Sequence, residues 1–217
     1  MADSDTPSPL PLADEPFHPE VLSSEVVYSG VVWDIRREVF RYNNAPVTRE
    51  FVDHTGAVAV LAMDDHDRVL VIQQYRHPVR HRDAEIPAGL LDIDGEEPLS
   101  AAQRELAEET DLQAARWNVL VDLFTSPGGS NEAIRIYLAR SVSPVVHAYQ
   151  REEEEADIRT RWVPLDEAVA AVLDGTVHNA PLIAAVLAAH ASRATNWSSL
   201  RAPDSPWPTH PAANRSA

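Results

Sequence analysis

The chain of 217 residues has no cysteine, no lysine, only seven glycines and few aromatic residues. Without cysteine there is no disulfide framework and no thiolate zinc site, a composition that suits the cytosol. All eighteen cationic side chains are arginine, and the planar guanidinium suits bidentate recognition of phosphate. No apolar run approaches the roughly 20 residues of a membrane span. The opening MADSDTPSPL is acidic and proline-rich, unlike a secretory signal. A formal net charge of −16 repels phosphate backbones and argues against nucleic acid as a partner. What remains fits a soluble, cytoplasmic enzyme with no membrane partner.

The length offers ample core for one domain with a small appendage. More than half of the seventeen prolines lie in residues 1–20 and 202–217. Residues 1–20 and 194–217 are therefore expected to be tails, disordered or draped on the surface. Residues 21–54 carry β-rich runs joined by a hairpin-like turn at Asn43-Asn44-Ala45-Pro46. Residues 55–193 form the main domain. Its pattern is strand (AVAVLAM), turn, strand (VLVIQQY), loop, an acidic helix, strands near WNVLVDLF and AIRIYLAR, then two Ala-rich helices over 165–193. Strands mixed with few helices predict an α/β (α+β) fold, an α/β/α sandwich around a mixed sheet with an N-terminal antiparallel β subdomain.

The chemistry concentrates in GLLDIDGEEPLSAAQRELAEETDL, residues 89–112. Pro98 suits a first helical position, where its missing N–H is no loss. Helical spacing gathers Leu99, Ala102 and Leu106 on a core-facing stripe, with Glu105 and Glu109 along one border and Arg104 and Glu108 further round. Carboxylates so crowded repel unless cations neutralise them, and all-oxygen ligands suit Mg²⁺ or Mn²⁺. Arg104, eight residues after Glu96, is placed to clamp the preceding loop to the helix. Gly89 and Gly95 are expected to let that loop turn sharply. A solvated acidic helix is the plain alternative. A calcium loop at Asp92-Ile93-Asp94-Gly95 lacks the alternating ligands and the distant Glu.

This segment resembles the signature of the Nudix hydrolases: Gly, five residues, Glu, seven residues, Arg-Glu-apolar-x-Glu-Glu-x-Gly-apolar. The match runs through Glu96, Arg104, Glu105, Leu106, Glu108, Glu109 and Leu112. It departs twice. Six residues separate Gly89 from Glu96, and Asp111 replaces the usual glycine, a position where Asp tolerates a left-handed backbone better than most residues.

The resemblance, covering roughly residues 22–193, implies roles for further residues. It makes the Ala88 carbonyl a metal ligand beside Glu105 and Glu109, and gives Glu85 a supporting role. Arg76, ending a strand, would hold a phosphate, and substrate contact would extend to Leu90. In the Gly-rich turn TSPGGSNE, Ser126, Pro127 and Gly128 would line the substrate slot, with Glu132 at a ribose hydroxyl. Pro127 follows Leu112 by fifteen residues, a spacing that resembles the ADP-ribose-cleaving branch. In the acidic run 152–157, Glu155 is the preferred general base and a further metal ligand, with Glu153 and Glu154 as rivals. Arg49, Glu50 and His54 would contact substrate from N-terminal strands that the resemblance swaps across a homodimer. Trp33 would stack on the base, or else fill the core.

The resemblance thus implies Mg²⁺-dependent hydrolysis of ADP-ribose to AMP and ribose 5-phosphate, with Glu108 completing the metal shell and Mn²⁺ as the substitute ion. Another nucleoside diphosphate sugar is the close alternative. A nucleotide-sensing domain without hydrolysis is the alternative of another class, although the chain keeps the signature carboxylates.

Overall fold

A computed structural model describes residues 12–147, 149 and 157–210. The N-terminal strands β1 (Val21–Ser29), β2 (Asp34–Tyr42) and β3 (Ala45–Asp53) pair antiparallel in that order. Asn43 and Asn44, at φ 48° and 63°, close the β2–β3 hairpin. Two successive positive φ values match the strand twist, and asparagine tolerates them.

The main sheet is built around β4 (Ala57–Met63), whose seven residues are all buried. A strand covered on both faces reads as a continuous apolar run. Its pleat sends Ala57, Ala59, Leu61 and Met63 into one core cluster and Val58, Val60 and Ala62 into the other. Next to it run β5 (Arg68–Arg76), β6 (His81–Glu85) and β7 (Ala88–Leu90). β4 and β5 pair only at Met63↔Val69. Beyond that point β6 takes the flank of β5 and β7 takes the flank of β4. The sequence reading has a loop here. His81-Arg82-Asp83-Ala84-Glu85 shows no apolar alternation, and only pairing with β5 makes it a strand.

Helix α1 (Pro98–Thr110) packs Ala101, Ala102 and Leu106 onto the Val58–Val60–Ala62 face. Burying Leu106 completely contributes roughly 2 kcal/mol. Then follow β8 (Leu112–Phe124), β9 (Ala133–Pro144) and β10 (Arg159–Pro164). Helices α2 (Leu165–Leu173) and α3 (Ala180–Ala194) cover the opposite face. The strand order is β10-β5-β4-β9-β8, with β4 and β9 parallel and their neighbours antiparallel. This is the expected α/β/α sandwich around a mixed sheet. Among the described residues no helix is long and apolar enough to cross a membrane.

After α3 the chain returns along the sheet. β8 breaks register between Val119 and Val121, and Val119 exchanges two backbone hydrogen bonds with Arg201, of 3.1 and 3.2 Å. The described part of the proline-rich C-terminal segment is therefore draped on the edge strand.

Candidate active site

Pro98 opens α1, and the Glu97 carbonyl accepts from Ala101 N–H at 3.1 Å. Asp111 closes the helix in the left-handed region, φ 57° and ψ 29°, donating its N–H to the Ala107 carbonyl. Position 111 thus demands the backbone for which glycine is the usual choice. Asp111 Oδ1 also accepts from Tyr149 N–H at 2.8 Å.

Within this frame Arg104 donates to both Glu96 oxygens, at 3.0 and 2.9 Å. Its Nη1 also reaches Glu105 at 2.6 Å and Glu108 at 3.1 Å. The Glu96 bond above all raises the Arg104 pKa, with Glu105 and Glu108 adding to it against burial. Arg104 in turn draws Glu96 below the usual carboxylate value. Glu109, 5% exposed, accepts from Ala88 N–H at 3.2 Å. Gly89 is extended strand rather than turn; of the two glycines read as turn formers, only Gly95 has a positive φ, at 76°. Gly89 serves another purpose. A Cβ there would lie 2.0 Å from the Glu105 carboxylate, so its bare Cα lets that carboxylate settle on β7.

Glu105 and Glu109 therefore both rest on the Ala88–Gly89 backbone. Among the described residues no three acidic or histidine side chains converge closely enough to cage an ion; Arg104 bridges Glu105 and Glu108 instead. The donor set still fits a hard divalent cation. It is all oxygen, its carboxylates outnumber its one cation, and it lies in a cradle that a methyl group at Gly89 would fill.

Glu85, 3% exposed, receives a bidentate pair of 2.7 Å bonds from Arg76, plus one of 3.3 Å from Gln74. Register explains this: Ile72 pairs with Glu85 and Arg76 with His81, so the long Arg76 side chain lies back along the hairpin. Its guanidinium remains half-exposed.

A third group joins the two sheets. Trp33 stacks on His54, with centroids 4.3 Å apart and planes 20° apart. His54 Nδ1 accepts from Gly56 N–H at 3.0 Å, which leaves the proton on Nε2, 3.2 Å from Glu132. Burial depresses the His54 pKa, and Glu132 opposes it. Thr125 Oγ1 donates a hydrogen bond to Glu132. Asn131 ties the turn to β3 by accepting from His54 N–H at 2.7 Å and donating to Asp53 at 3.0 Å. Asn131 lies in the turn TSPGGSNE, but its pairing with Asp53 leaves no local signal.

Beside this group opens a cavity of about 460 Å³ lined by Arg49, Glu50, Phe51, Phe124, Pro127, Gly128 and Thr209, among others. Sequence reasoning picked out four of these and missed Phe51, Phe124 and Thr209. Ser126 contributes its carbonyl, which closes the turn by accepting from Gly129 and Ser130 N–H. Leu90 sits opposite Ala57 at the end of β7. The structure thus brings together Ala88, Gly89, Glu96, Arg104, Glu105, Glu108 and Glu109. It pairs Arg76 with Glu85, and joins Trp33, His54 and Glu132. Glu155 and its rivals Glu153 and Glu154 lie outside the described residues.

Comparison with known proteins accords with this geometry. The sequence profile of the NUDIX domain matches residues 53–186. An ADP-ribose pyrophosphatase of Mycobacterium tuberculosis is 45% identical over 89% of this chain and 93% of its own length. An ADP-ribose pyrophosphatase of Bacillus subtilis is 35% identical over 74% of this chain and 86% of its own. A solved structure described as an ADP compounds hydrolase has a TM-score of 0.70, covering 85% of this chain and all of its own, at 20% identity; that likeness is one of fold. With its acidic helix laid over β7 and the family profile spanning most of the sandwich, the chain belongs to the Nudix hydrolase family.

Proposed function

We propose that this hydrolase cleaves the diphosphate bond of ADP-ribose, giving AMP and ribose 5-phosphate. The observation that carries the reading is the seating of Glu105 and Glu109 on the Ala88–Gly89 backbone, in a chain 45% identical to an ADP-ribose pyrophosphatase. Water adds to one phosphorus, the bridging oxygen leaves with the other, and the net uptake of one water balances the two products.

Nudix hydrolases work with divalent metal ions. Here the Ala88 carbonyl, Glu105 and Glu109 would hold them, with Glu108 completing the set, and Mg²⁺ is the ion proposed, with Mn²⁺ as a substitute. Such an ion neutralises diphosphate charge and lowers the pKa of water. Arg104 holds the loop through Glu96 and keeps the carboxylates spaced. Glu155, supported by sequence alone, takes the proton from the attacking water. Arg76, steadied by Glu85, offers its half-exposed guanidinium to a phosphate. Glu132 meets a ribose hydroxyl, and Trp33, Arg49, Glu50 and His54 contact the nucleoside, with Leu90, Ser126, Pro127 and Gly128 along the slot.

Homodimer formation belongs to the same proposal. It is supported by β1, where Val21, Leu22, Val26, Val27 and Tyr28 are all exposed, a patch that calls for a partner. Light scattering after gel filtration tests it, and a monomer at micromolar concentration refutes it. Cytosolic action is supported by the lack of cysteine.

The test of the activity is turnover of a panel of nucleoside diphosphate sugars with Mg²⁺ or Mn²⁺, alongside Glu109→Gln. ADP-ribose should give the highest kcat/KM, and the variant should lose about 10³-fold in kcat while keeping its melting temperature. Full activity in Glu109→Gln removes the metal assignment; preference for a GDP-hexose replaces the substrate.

A further inference from the structure

We propose that the C-terminal segment 201–210 is a wall of the substrate slot, with Thr209 as a specificity-determining residue for the nucleoside end of the substrate. This rests on the diphosphate-hydrolase reading above.

The segment is fastened by a charge inside the protein. Arg135, on β9, is 2% exposed. It forms a bidentate pair with Asp122 at 2.8 and 3.0 Å. Its remaining donors reach the Ser205 carbonyl at 2.6 Å and the Pro206 carbonyl at 3.0 Å. Burial works against this guanidinium, and Asp122 more than offsets it, so it keeps its charge. A buried charge left without partners is costly, so the two carbonyls of the segment are part of what makes Arg135 tolerable in the sheet. Trp207 lies over the guanidinium at 4.8 Å, a cation–π contact. Arg201 adds a 2.8 Å bond to the same Asp122, besides its backbone exchange with Val119. The chain is held at Arg201 and at Ser205–Trp207, and beyond Trp207 it turns, with His210 N–H donating to the Trp207 carbonyl at 3.2 Å.

That course brings Thr209 to the cavity shared by Arg49, Glu50, Phe51, Phe124 and Pro127. At about 460 Å³ the space is within the range of small-molecule sites. Three phenylalanines in its wall, Phe40, Phe51 and Phe124, suit a flat heteroaromatic base, which stacks on any aromatic face. A hydroxyl offers one donor and two acceptors, so Thr209 can satisfy a polar edge of the base or a ribose hydroxyl. The wall also carries Glu38, Arg49, Glu50, Ser130 and Asn131, and a site built to hydrogen-bond one edge of its ligand discriminates against an analogue that leaves those groups unpaired.

The experiment uses the full chain and two variants, Thr209→Trp, which fills the slot, and Thr209→Val, which keeps the shape and removes the hydroxyl. With ADP-ribose and Mg²⁺, Thr209→Trp should raise KM about tenfold and leave kcat within about twofold. Thr209→Val should change the ratio of kcat/KM between ADP-ribose and its hypoxanthine counterpart. Calorimetric titration with AMP reads the slot without turnover, so it decides the matter even if the wild type hydrolyses nothing in the panel. An affinity for AMP weakened about tenfold in Thr209→Trp supports the proposal. Equal AMP affinity in wild type and Thr209→Trp overturns it, and so does a loss confined to kcat.

Discussion

The carboxylate of Glu105 lies on the bare Cα of Gly89, so closely that a Cβ there would be 2.0 Å from it. Gly89→Ala is therefore expected to push Glu105 off β7 while sparing the rest of the core. Displacing a positioned group by about 1 Å costs on the order of 10²-fold in rate, and the loss should fall on kcat. Steady-state kinetics with a thermal melt would check it; an active Gly89→Ala enzyme would show that Glu105 works from another position.

Asp111 does two things, and they can be separated. Glycine at 111 keeps the left-handed cap without its steric cost, whereas alanine there should be less stable than glycine by about 1 kcal/mol. Urea midpoints should rank Asp111→Gly above Asp111→Ala. Both variants lose the acceptor for Tyr149 N–H, whereas Asp111→Asn retains an Oδ1. Faster amide exchange at Tyr149 in the first two, but not in Asp111→Asn, is the expected pattern. Identical exchange in all three would mean that the bond holds nothing in place.

His54 should titrate below the usual histidine value of about 6.5, because burial disfavours its charged form and Glu132 offsets this only in part. Protonating Nδ1 would also break the bond from Gly56 N–H. As pH falls below about 6.5, the unfolded chain takes up this proton before the folded one does. The contribution of His54 to stability is thus complete above that pH and declines on acidification towards the folded-state pKa. NMR titration of the imidazole, assigned with His54→Gln, should give a midpoint below 6.5, and the variant should show a shallower loss of stability between pH 7 and 5. A midpoint above 6.5 would mean that the Glu132 carboxylate outweighs burial.

How far the sequence could be read depended on whether the deciding contacts were local. Pro98 and the stripe through Ala102 and Leu106 lie within one helix, so α1 was visible in full. β4 was visible because a strand buried on both faces is apolar throughout. The Asn43-Asn44 hairpin announced itself by residue type. β6 was not legible, since its strand character comes from pairing with β5. Gly89 was read as a turn former because a glycine's sequence context does not reveal a carboxylate sixteen residues ahead lying on it. Thr209 had no signal at all: it sits in a proline-rich stretch whose course is set by Arg135, 70 residues before Ser205. The reading of Glu155 as the general base, with Glu153 and Glu154 as rivals, rests on the sequence alone, since all three lie outside the described residues.

The two-faced burial of β4 has a consequence for engineering. Ala59 supports the cluster beneath α3, and its backbone pairs with Ala88; Val58, facing α1, pairs with Gly89. Enlarging a side chain on the far layer thus bears on the very peptide units where two acidic groups come to rest. Variants selected only for a tighter interior are liable to trade away turnover, and libraries aimed at thermostability in this scaffold should leave the small residues of that strand untouched.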